Sequence, residues 1–423
     1  MAPRLPESLR TGTRWLRRFA VTTPGVLVAI AFGAVLLCLV TGLIGASELN
    51  DRTGRRDTAL QREEPLADAA QRLYVALSAA DASAASAFLS GGVESPQIRA
   101  QYRQSLTDAA NALAAATAGV GDPATRQIVA RIDADLPVYT GLVESARANN
   151  RQGFPVGSAY LREASALMQN SLLPTAAQLT TQRYAAVRSD QRVITRPPWI
   201  TVVLLLLVVA GAVAGSRILL RRTNRLFNLG LVAAAAAAVL ALVWIVAATV
   251  AAHGAIDGGP SGTAARTESL ARARILAQQA RTDETLELIT RGDTQAPEDD
   301  FKAKTTTLRD RLGAAAGPGS PMPQQLARWL DGHALQVNAY NGANYLAAVD
   351  QAIGTGPDSS TRRFTDLDNA LRDAIADSRD HLREDIGNGG DSWSGCELGT
   401  LGLMVFAAIA AVGGLWPRLK EFL

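Results

Sequence analysis

Cysteine, histidine and aromatic residues are all scarce in this chain of 423 residues. The two cysteines and three histidines are too few and too scattered for a disulfide framework or a clustered metal centre. Aromatic residues make up 5% of the chain although hydrophobic residues reach 48%, so alanine, leucine and valine supply the apolar content. This profile favours long helices over a β-rich core.

Lysine is also nearly absent, since Lys302, Lys304 and Lys420 are the only lysines and arginine supplies the other basic residues. Together with the abundant alanine and glycine, this composition is typical of a GC-rich genome, as in actinobacteria. The net charge of +3 gives no indication of nucleic-acid binding. No glycine-rich phosphate loop, nucleophile elbow or metal-spaced cluster is present, so we predict neither an enzyme nor a cofactor or metal site.

Isolated ionisable residues are interpreted as structural. His253, His333 and His381 lie far apart in the chain, and we interpret His333 as a structural histidine. The adjacent pair Glu63 and Glu64 is interpreted as charge that is solvated on a helix face or caps the dipole at a helix start.

Four apolar stretches are long enough to cross a bilayer, which takes about 20 helical residues. They are residues 24–46, 198–220, 229–252 and 398–416. None has an acidic residue in its middle, which argues against a transporter or channel, because such proteins keep polar groups at mid-membrane.

Small residues in the second stretch predict a packing surface. Gly211 and Gly215 stand four residues apart, a spacing that lets helices approach closely. This surface packs the four spans together or joins two copies of the chain in a homodimer; the alternative is that the glycines are simply tolerated in a membrane helix.

The arginines beside the four stretches predict their orientation, because positive charge collects in short cytoplasmic segments. Five arginines precede the first stretch, three follow the second, and Arg418 and Lys420 follow the fourth. These clusters lie in segments 1–23, 221–228 and 417–423, which four crossings place on the same side. We predict a multi-pass plasma-membrane protein with both termini in the cytoplasm.

The two long segments between the stretches, 47–197 and 253–397, each have the pattern of four helices. In the first, apolar residues recur at alternating intervals of four and three, the spacing of a helix that packs in a bundle. This seam consists of Leu66, Ala70, Leu73, Leu77, Ala80, Ala84 and Ala87. Glycine and proline breaks follow in matching order in both segments. We therefore predict an all-α membrane protein with four transmembrane helices and two extracytoplasmic four-helix bundles, formed by duplication of a span–bundle–span module.

The outer helices of each bundle are predicted to be continuous with the neighbouring spans. Pro65, Pro137 and Pro174 fall inside helices of the first segment. Because the apolar spacing resumes beyond each proline, we expect kinks there rather than helix ends.

An acidic cluster in the second segment is a candidate docking surface. Asp293, Glu298, Asp299 and Asp300 lie close together where the chain is expected to turn farthest from the membrane. Loops held by rigid elements often bind partners, and acidic charge would attract a basic face of an extracellular protein. The alternative interpretation is a solvated loop that caps a helix.

Two sets of arginines are further candidates for binding. Arg99 and Arg103, one helical turn apart, are candidates for capturing the carboxylate of a ligand. Arg221, Arg222 and Arg225 in the predicted cytoplasmic loop are candidates for docking a cytoplasmic protein.

A helical bundle held between two spans resembles the sensory half of bacterial chemoreceptors and sensor kinases. Here that half is doubled, and the expected cytoplasmic segments are too short to contain an output domain. With the arginine-rich inner segments and the actinobacterial composition, the whole chain resembles the actinobacterial membrane relay proteins of the GlnX type. That resemblance implies an amino-acid-binding lipoprotein outside and the soluble serine/threonine protein kinase G inside, with sensing of glutamate or aspartate and control of central carbon and nitrogen metabolism.

The resemblance thus predicts a transmembrane signal relay in the lipid bilayer, with a solute-binding lipoprotein and a cytoplasmic serine/threonine kinase as partners. Two alternatives stay open: a direct small-molecule receptor, and a non-enzymatic scaffold or accessory subunit of an envelope complex. Arginines that converge on a bundle surface would favour the receptor.

Overall fold

The computed structural model describes residues 23–90, 95–118, 122–223, 228–256, 262–290 and 295–420. Nearly all of these residues are helical, and no strand occurs within these ranges. The prediction of an all-α chain is confirmed, and so is the presence of four helices long and apolar enough to cross a membrane.

The helices of the first half include two short π-helical turns, at Ala59–Glu63 and Met168–Leu172. The α-helices in chain order are α1 Thr23–Thr58, α2 Glu64–Leu89, α3 Pro96–Thr117, α4 Pro123–Arg151, α5 Val156–Leu167, α6 Leu173–Thr195 and α7 Trp199–Thr223.

The second half continues with α-helices. They are α8 Leu229–Ala255, α9 Thr263–Thr290, α10 Gln295–Ala315, α11 Met322–Asn341, α12 Tyr345–Ile353, α13 Ser360–Asp391 and α14 Cys396–Lys420.

The chain divides into two compact units. One comprises Met1–Arg56, Arg192–Ile256 and Ile386–Leu423, and it contains the apolar helices α7, α8 and α14 with most of α1. The other comprises Asp57–Gln191 and Asp257–Asp385, which lie within the two predicted outer segments.

The first unit exposes large apolar side chains along its helices. Phe32 is 70% exposed, Val250 67% and Leu229 83%. A continuous apolar surface of this kind is suited to lipid rather than water. The four long apolar helices thus mark a membrane protein.

The helices α8 and α14 of this unit lie in close contact. A Cβ atom placed on Gly230 would lie 2.1 Å from the carbonyl oxygen of Ala410, so only glycine fits. Asn228 accepts a hydrogen bond from the Gly230 N–H and donates one from its amide to the Gly414 carbonyl oxygen at 3.1 Å. Small residues therefore bring these two backbones together, and the asparagine links them.

The predicted packing residues of α7 face helices of the same chain. Gly215 lies against Ile30 of α1 and Leu231 of α8, and Gly211 lies against Leu37 of α1. Both glycines line a cleft of about 230 Å³ between these helices. Dimerisation of the chain stays a prediction.

The seam predicted for the first outer helix lies in the protein core. All seven of its residues on α2 are buried, the most exposed being Ala87 at 7%. One apolar cluster joins five of them, from Ala70 to Ala84, to side chains of α3, α4, α5, α6 and the π-helical turn Met168–Leu172, including Tyr102, Tyr139 and Met168. The helices α2, α3 and α4 therefore share one core with the helical run formed by α5, its π-helical turn and α6. The four-helix-bundle arrangement and the duplication stay predictions.

The second outer segment contains five helices in its described residues, where four were predicted. The helix α11 ends at Asn341, and α12 begins at Tyr345 after a turn in which Ala343 has a φ of 58°. Asn344 then caps α12, because its side chain accepts a hydrogen bond from the Ala347 N–H at 3.2 Å. The left-handed conformation falls on Ala343 itself, whereas the neighbouring Gly342 and Asn344 have negative φ values of −77° and −98°.

The predicted continuity of outer helices and spans holds at the first of four places. Helical residues run without a break from Thr23 to Leu89. Residues 196–198 interrupt the helix between α6 and α7, because two prolines there supply no backbone donors. Ile256, after α8, is not helical, and a turn at residues 392–395 separates α13 from α14.

Two of the three internal prolines follow π-helical turns. Pro65 is the second residue after Ala59–Glu63, and Pro174 is the second residue after Met168–Leu172. A proline lacks the N–H group and its ring displaces the carbonyl one turn earlier, so a wider turn accommodates it. The helix continues past both residues and past Pro137 within α4, as predicted.

Cysteine labelling in intact cells tests the predicted orientation. Cys38 and Cys396 are buried and can first be replaced by alanine. In that background, Gln152→Cys and Thr355→Cys, at exposed positions of the two outer segments, should react with a membrane-impermeant thiol reagent. Thr223→Cys should react only after permeabilisation, because it precedes the predicted cytoplasmic loop. Labelling of Thr223→Cys in intact cells would contradict the orientation.

Candidate sensory site

A buried carboxylate lies in the core of the first outer segment. Asp81 on α2 is 2% exposed. The hydroxyl group of Tyr139 donates a hydrogen bond to one of its carboxylate oxygens at 3.3 Å. The other oxygen accepts from Ser165 at 3.0 Å and from the Gln169 amide at 3.3 Å.

Three elements bring these donors to Asp81. Tyr139 lies on α4, Ser165 on α5, and Gln169 in the π-helical turn Met168–Leu172. Ser165 and Gln169 are four residues apart, so they share a helix face. The wider turn redirects the side chains that follow it, and such turns recur at functional sites.

Among the residues that the structure describes, the side chains that donate to Asp81 are all neutral. Burial raises the pKa of Asp81 to about 6, although the hydrogen bonds from Ser165, Gln169 and Tyr139 act in the opposite direction. The pKa of Tyr139 is also raised, by burial first and by the charge of Asp81 second. The Asp81 carboxyl group can therefore gain or lose a proton at mildly acidic pH, and its protonated form would donate where the ionised form accepts.

The residues that build this site lie in a stretch that a protein-family model matches. Residues 55–192 match the family model described as the actinobacterial sensor domain. The match supports an actinobacterial sensor-type protein. No curated protein and no solved structure matches the chain. Asp81 and its three donors belong to this sensor domain, which suggests a sensing or signalling role for the protein.

The sensor domain packs against the second outer segment through α2 and α9. Ala67 of α2, Tyr184 of α6 and Ala271 of α9 form a small buried cluster. Arg188 of the sensor domain pairs with Glu268 of α9 beside this cluster. The two alanines present little side chain, so the helices can lie close together.

A buried ionic cluster adds to this contact. Glu64, at the start of α2, is 3% exposed. It accepts hydrogen bonds from Arg379 of α13 at 2.6 Å and from Arg383 of α13 at 2.9 and 3.0 Å. Arg379 also pairs with Asp68 at 2.5 Å. Of the two interpretations of Glu64, the solvated charge is therefore wrong, because these arginines of the second segment enclose it; Glu64 does lie in the first turn of α2.

His333 of α11 lies between two carboxylates of the second outer segment. Its Nε2 atom lies 2.8 Å from Glu298, and its Nδ1 atom lies 3.4 Å from Glu284. Burial acts to lower the pKa of His333, but the contacts with Glu284 and Glu298 outweigh burial and raise it. The ring of Phe301 stacks on the imidazole with centroids 3.8 Å apart and fixes its orientation.

Only part of the predicted acidic docking surface is exposed to solvent. Asp299 and Asp300, in the first turns of α10, are exposed. The Glu298 side chain is 16% exposed and is directed at His333 instead of solvent. Asp293 lies outside the described residues. The four acidic residues therefore do not form one exposed patch across the described part of the chain.

The predicted arginine sites are described only in part. Arg99 and Arg103 are exposed on α3, and neither donates to the buried aspartate of the sensor domain. Arg221 is exposed near the end of α7. The side chain of Arg222 and the whole of Arg225 lie outside the described residues.

Sequence reasoning missed Asp81, although one local signal marks it. From Leu73 to Leu89 it is the only charged residue, and it stands next to Ala80 of the apolar seam. A single charge beside the seam of an otherwise uncharged helix is costly to bury, so it indicates a specific partner or role.

Replacing Asp81 by asparagine tests the buried charge. The pKa of this carboxyl group is about 6 in the folded chain, against the ordinary value of 3.8. Between these values the folded chain holds a proton that the unfolded chain has released. The resulting stability is fully present below about pH 4 and is lost as the pH rises through about 6.

Asp81→Asn should therefore raise the free energy of unfolding at pH 7.5 by up to about 3 kcal/mol and change it little near pH 4. Calorimetry of the full chain in detergent at both pH values measures the effect. The matched control is Asp108→Asn, an exposed position on α3, which should change stability little at either pH. A loss of stability in Asp81→Asn at pH 7.5 would contradict the account.

Proposed function

We propose that the protein is a transmembrane signal relay. It receives an extracellular amino-acid signal of the glutamate or aspartate type through a solute-binding lipoprotein, and it passes the signal to a cytoplasmic serine/threonine kinase. The observation that carries this proposal is the helix that runs unbroken from Thr23 to Leu89, because it leads from an apolar span into the stretch matched by the sensor family at residues 55–192.

A continuous helix is suited to transmit a displacement along its axis. Its backbone hydrogen bonds resist local bending, so a shift or rotation at one end appears at the other. The π-helical turn Ala59–Glu63 is the place where this helix can change register, because it holds one extra residue relative to an α-helical turn. Interconversion of the two forms would be a two-state element for signalling.

The partners in this proposal would use different surfaces. The exposed carboxylates of Asp299 and Asp300 would attract a basic face of the lipoprotein. The kinase would dock at the cytoplasmic loop through Arg221, Arg222 and Arg225, whose charge suits an acidic protein surface.

An open groove favours direct small-molecule reception as a second candidate. It lies between α3 and α4 of the sensor domain and has a volume of about 620 Å³, within the size range of small-molecule sites. Leu113, Val129 and Leu136 form apolar parts of its wall, and Arg126 and Asp133 supply both signs of charge. An amino acid carries one carboxylate and one ammonium group, which these two residues could pair.

The relay is tested by the response of kinase-substrate phosphorylation to added glutamate in cells. The triple variant of Arg221, Arg222 and Arg225 to glutamine should abolish the response, because it removes the docking charge. Membrane insertion of the variant is confirmed first by thiol labelling at Gln152→Cys. The control, Arg309→Gln with Arg328→Gln, removes exposed outer charge and should respond normally.

The same assay separates the relay from the direct receptor. Deleting the lipoprotein should abolish the response if it delivers the signal, whereas Arg126→Gln should leave it intact. A response that survives deletion of the lipoprotein but is lost in Arg126→Gln would favour the direct receptor. A normal response in the correctly inserted triple variant would contradict docking at this loop.

A further inference from the structure

Three side chains of the types that ligate metals converge in the second outer segment. They are Glu287 on α9, Glu298 on α10 and His333 on α11. One donor atom of each lies within 4.8 Å of the others. Glu287 and His333 are 4% and 5% exposed, so the meeting point is largely closed to solvent.

A carboxylate stands behind the histidine. Glu284 is fully buried, and one of its oxygens lies 3.4 Å from the Nδ1 atom of His333. Neither of these two atoms has a hydrogen bond of good geometry within the described residues. A proton on Nδ1 would be directed at Glu284 and would leave the lone pair of Nε2 for the side of Glu287 and Glu298. Histidines that ligate metals nearly always have such a carboxylate or carbonyl behind them.

Neighbouring groups fix Glu284 in this position. Its second oxygen accepts a hydrogen bond from Arg281 at 2.5 Å and from the Trp329 indole N–H at 3.0 Å. The stacked ring of Phe301 holds the imidazole, and Phe301 in turn contacts Trp329 edge-on. The geometry of the histidine is therefore set in advance, as a specific ion site requires.

We propose that Glu287, Glu298 and His333 bind one divalent transition-metal ion of the zinc class, with Glu284 as the positioning residue. One imidazole and two carboxylates suit such an ion, and water would complete the coordination. Ligand atoms around tetrahedral zinc lie about 3.4 Å apart, so the three donors need only small shifts to reach it. The ion would hold α9, α10 and α11 together, and this role is independent of the proposed relay.

Titration of the purified full chain with zinc tests the site. The chain is prepared in detergent after chelator treatment, with Cys38 and Cys396 replaced by alanine so that no thiolate competes. One Zn²⁺ per chain should bind in calorimetry and raise the unfolding temperature by about 5 °C. Mg²⁺ and Ca²⁺ should have little effect, because they prefer all-oxygen sites. Absence of zinc binding would overturn the proposal.

Variants then locate the ion. Glu298→Gln keeps the shape of the side chain and should weaken zinc binding at least tenfold, and His333→Ala should abolish it. The matched control is His381→Ala, a histidine with a 62% exposed side chain on α13, which should bind zinc normally. Binding that is unchanged in both Glu298→Gln and His333→Ala would place the ion elsewhere and overturn the proposal.

The role of Glu284 has a separate readout. Co²⁺ in place of zinc gives a visible spectrum that reports the geometry of its ligands. Glu284→Gln should weaken binding about tenfold and alter this spectrum, because the imidazole loses its fixed tautomer. A weakened affinity with an unaltered spectrum would show that Glu284 does not position the ligand.

Discussion

The burial of Glu64 constrains how the two outer segments come together. A carboxylate that is 3% exposed has lost most of its hydration, which costs several kcal/mol. This desolvation cost is offset by Arg379 and Arg383, which both lie on α13 of the other segment. Ala67 and Ala271 allow the close approach of α2 and α9, but apolar contact alone would accept several registers. The ionic cluster is compatible with only one register, because separating its members would leave buried charges without partners.

The two outer segments use their buried ionisable groups differently. In the sensor domain, Asp81 has neutral donors only, and its pKa near 6 lets it change protonation state without breaking an ion pair. In the second segment, Glu284 is held by Arg281, Trp329 and the nearby His333, so its surroundings are rigid. The first segment thus contains a buried group that can change its protonation state, and the second contains a buried carboxylate held by a charged partner.

Local patterns predicted what depends on local spacing. The seam of α2 follows from apolar residues three or four positions apart, and the four apolar helices follow from apolar runs of about 20 residues. Both could therefore be recognised in the sequence. The partners of Glu64 and Glu298 lie 315 and 35 residues away, respectively, and no local pattern encodes such pairs. The sequence therefore predicts a solvated or helix-capping charge at Glu64 and a docking surface or capping loop at Glu298, and neither prediction includes these partners. The turn after Asn341 was missed because its short break hardly disturbs the apolar spacing on either side.

A double-mutant cycle on Glu64 and Arg379 tests the central claim most directly. Unfolding of the full chain in detergent is measured for Glu64→Gln, for Arg379→Gln and for the double variant. If the pair joins the two segments, the double variant should lose less stability than the sum of the singles, with a coupling of about 2 kcal/mol. The exposed pair Arg362 and Asp366, 3.4 Å apart on α13, is the control and should show coupling below about 0.5 kcal/mol. Additive losses at Glu64 and Arg379 would contradict the account.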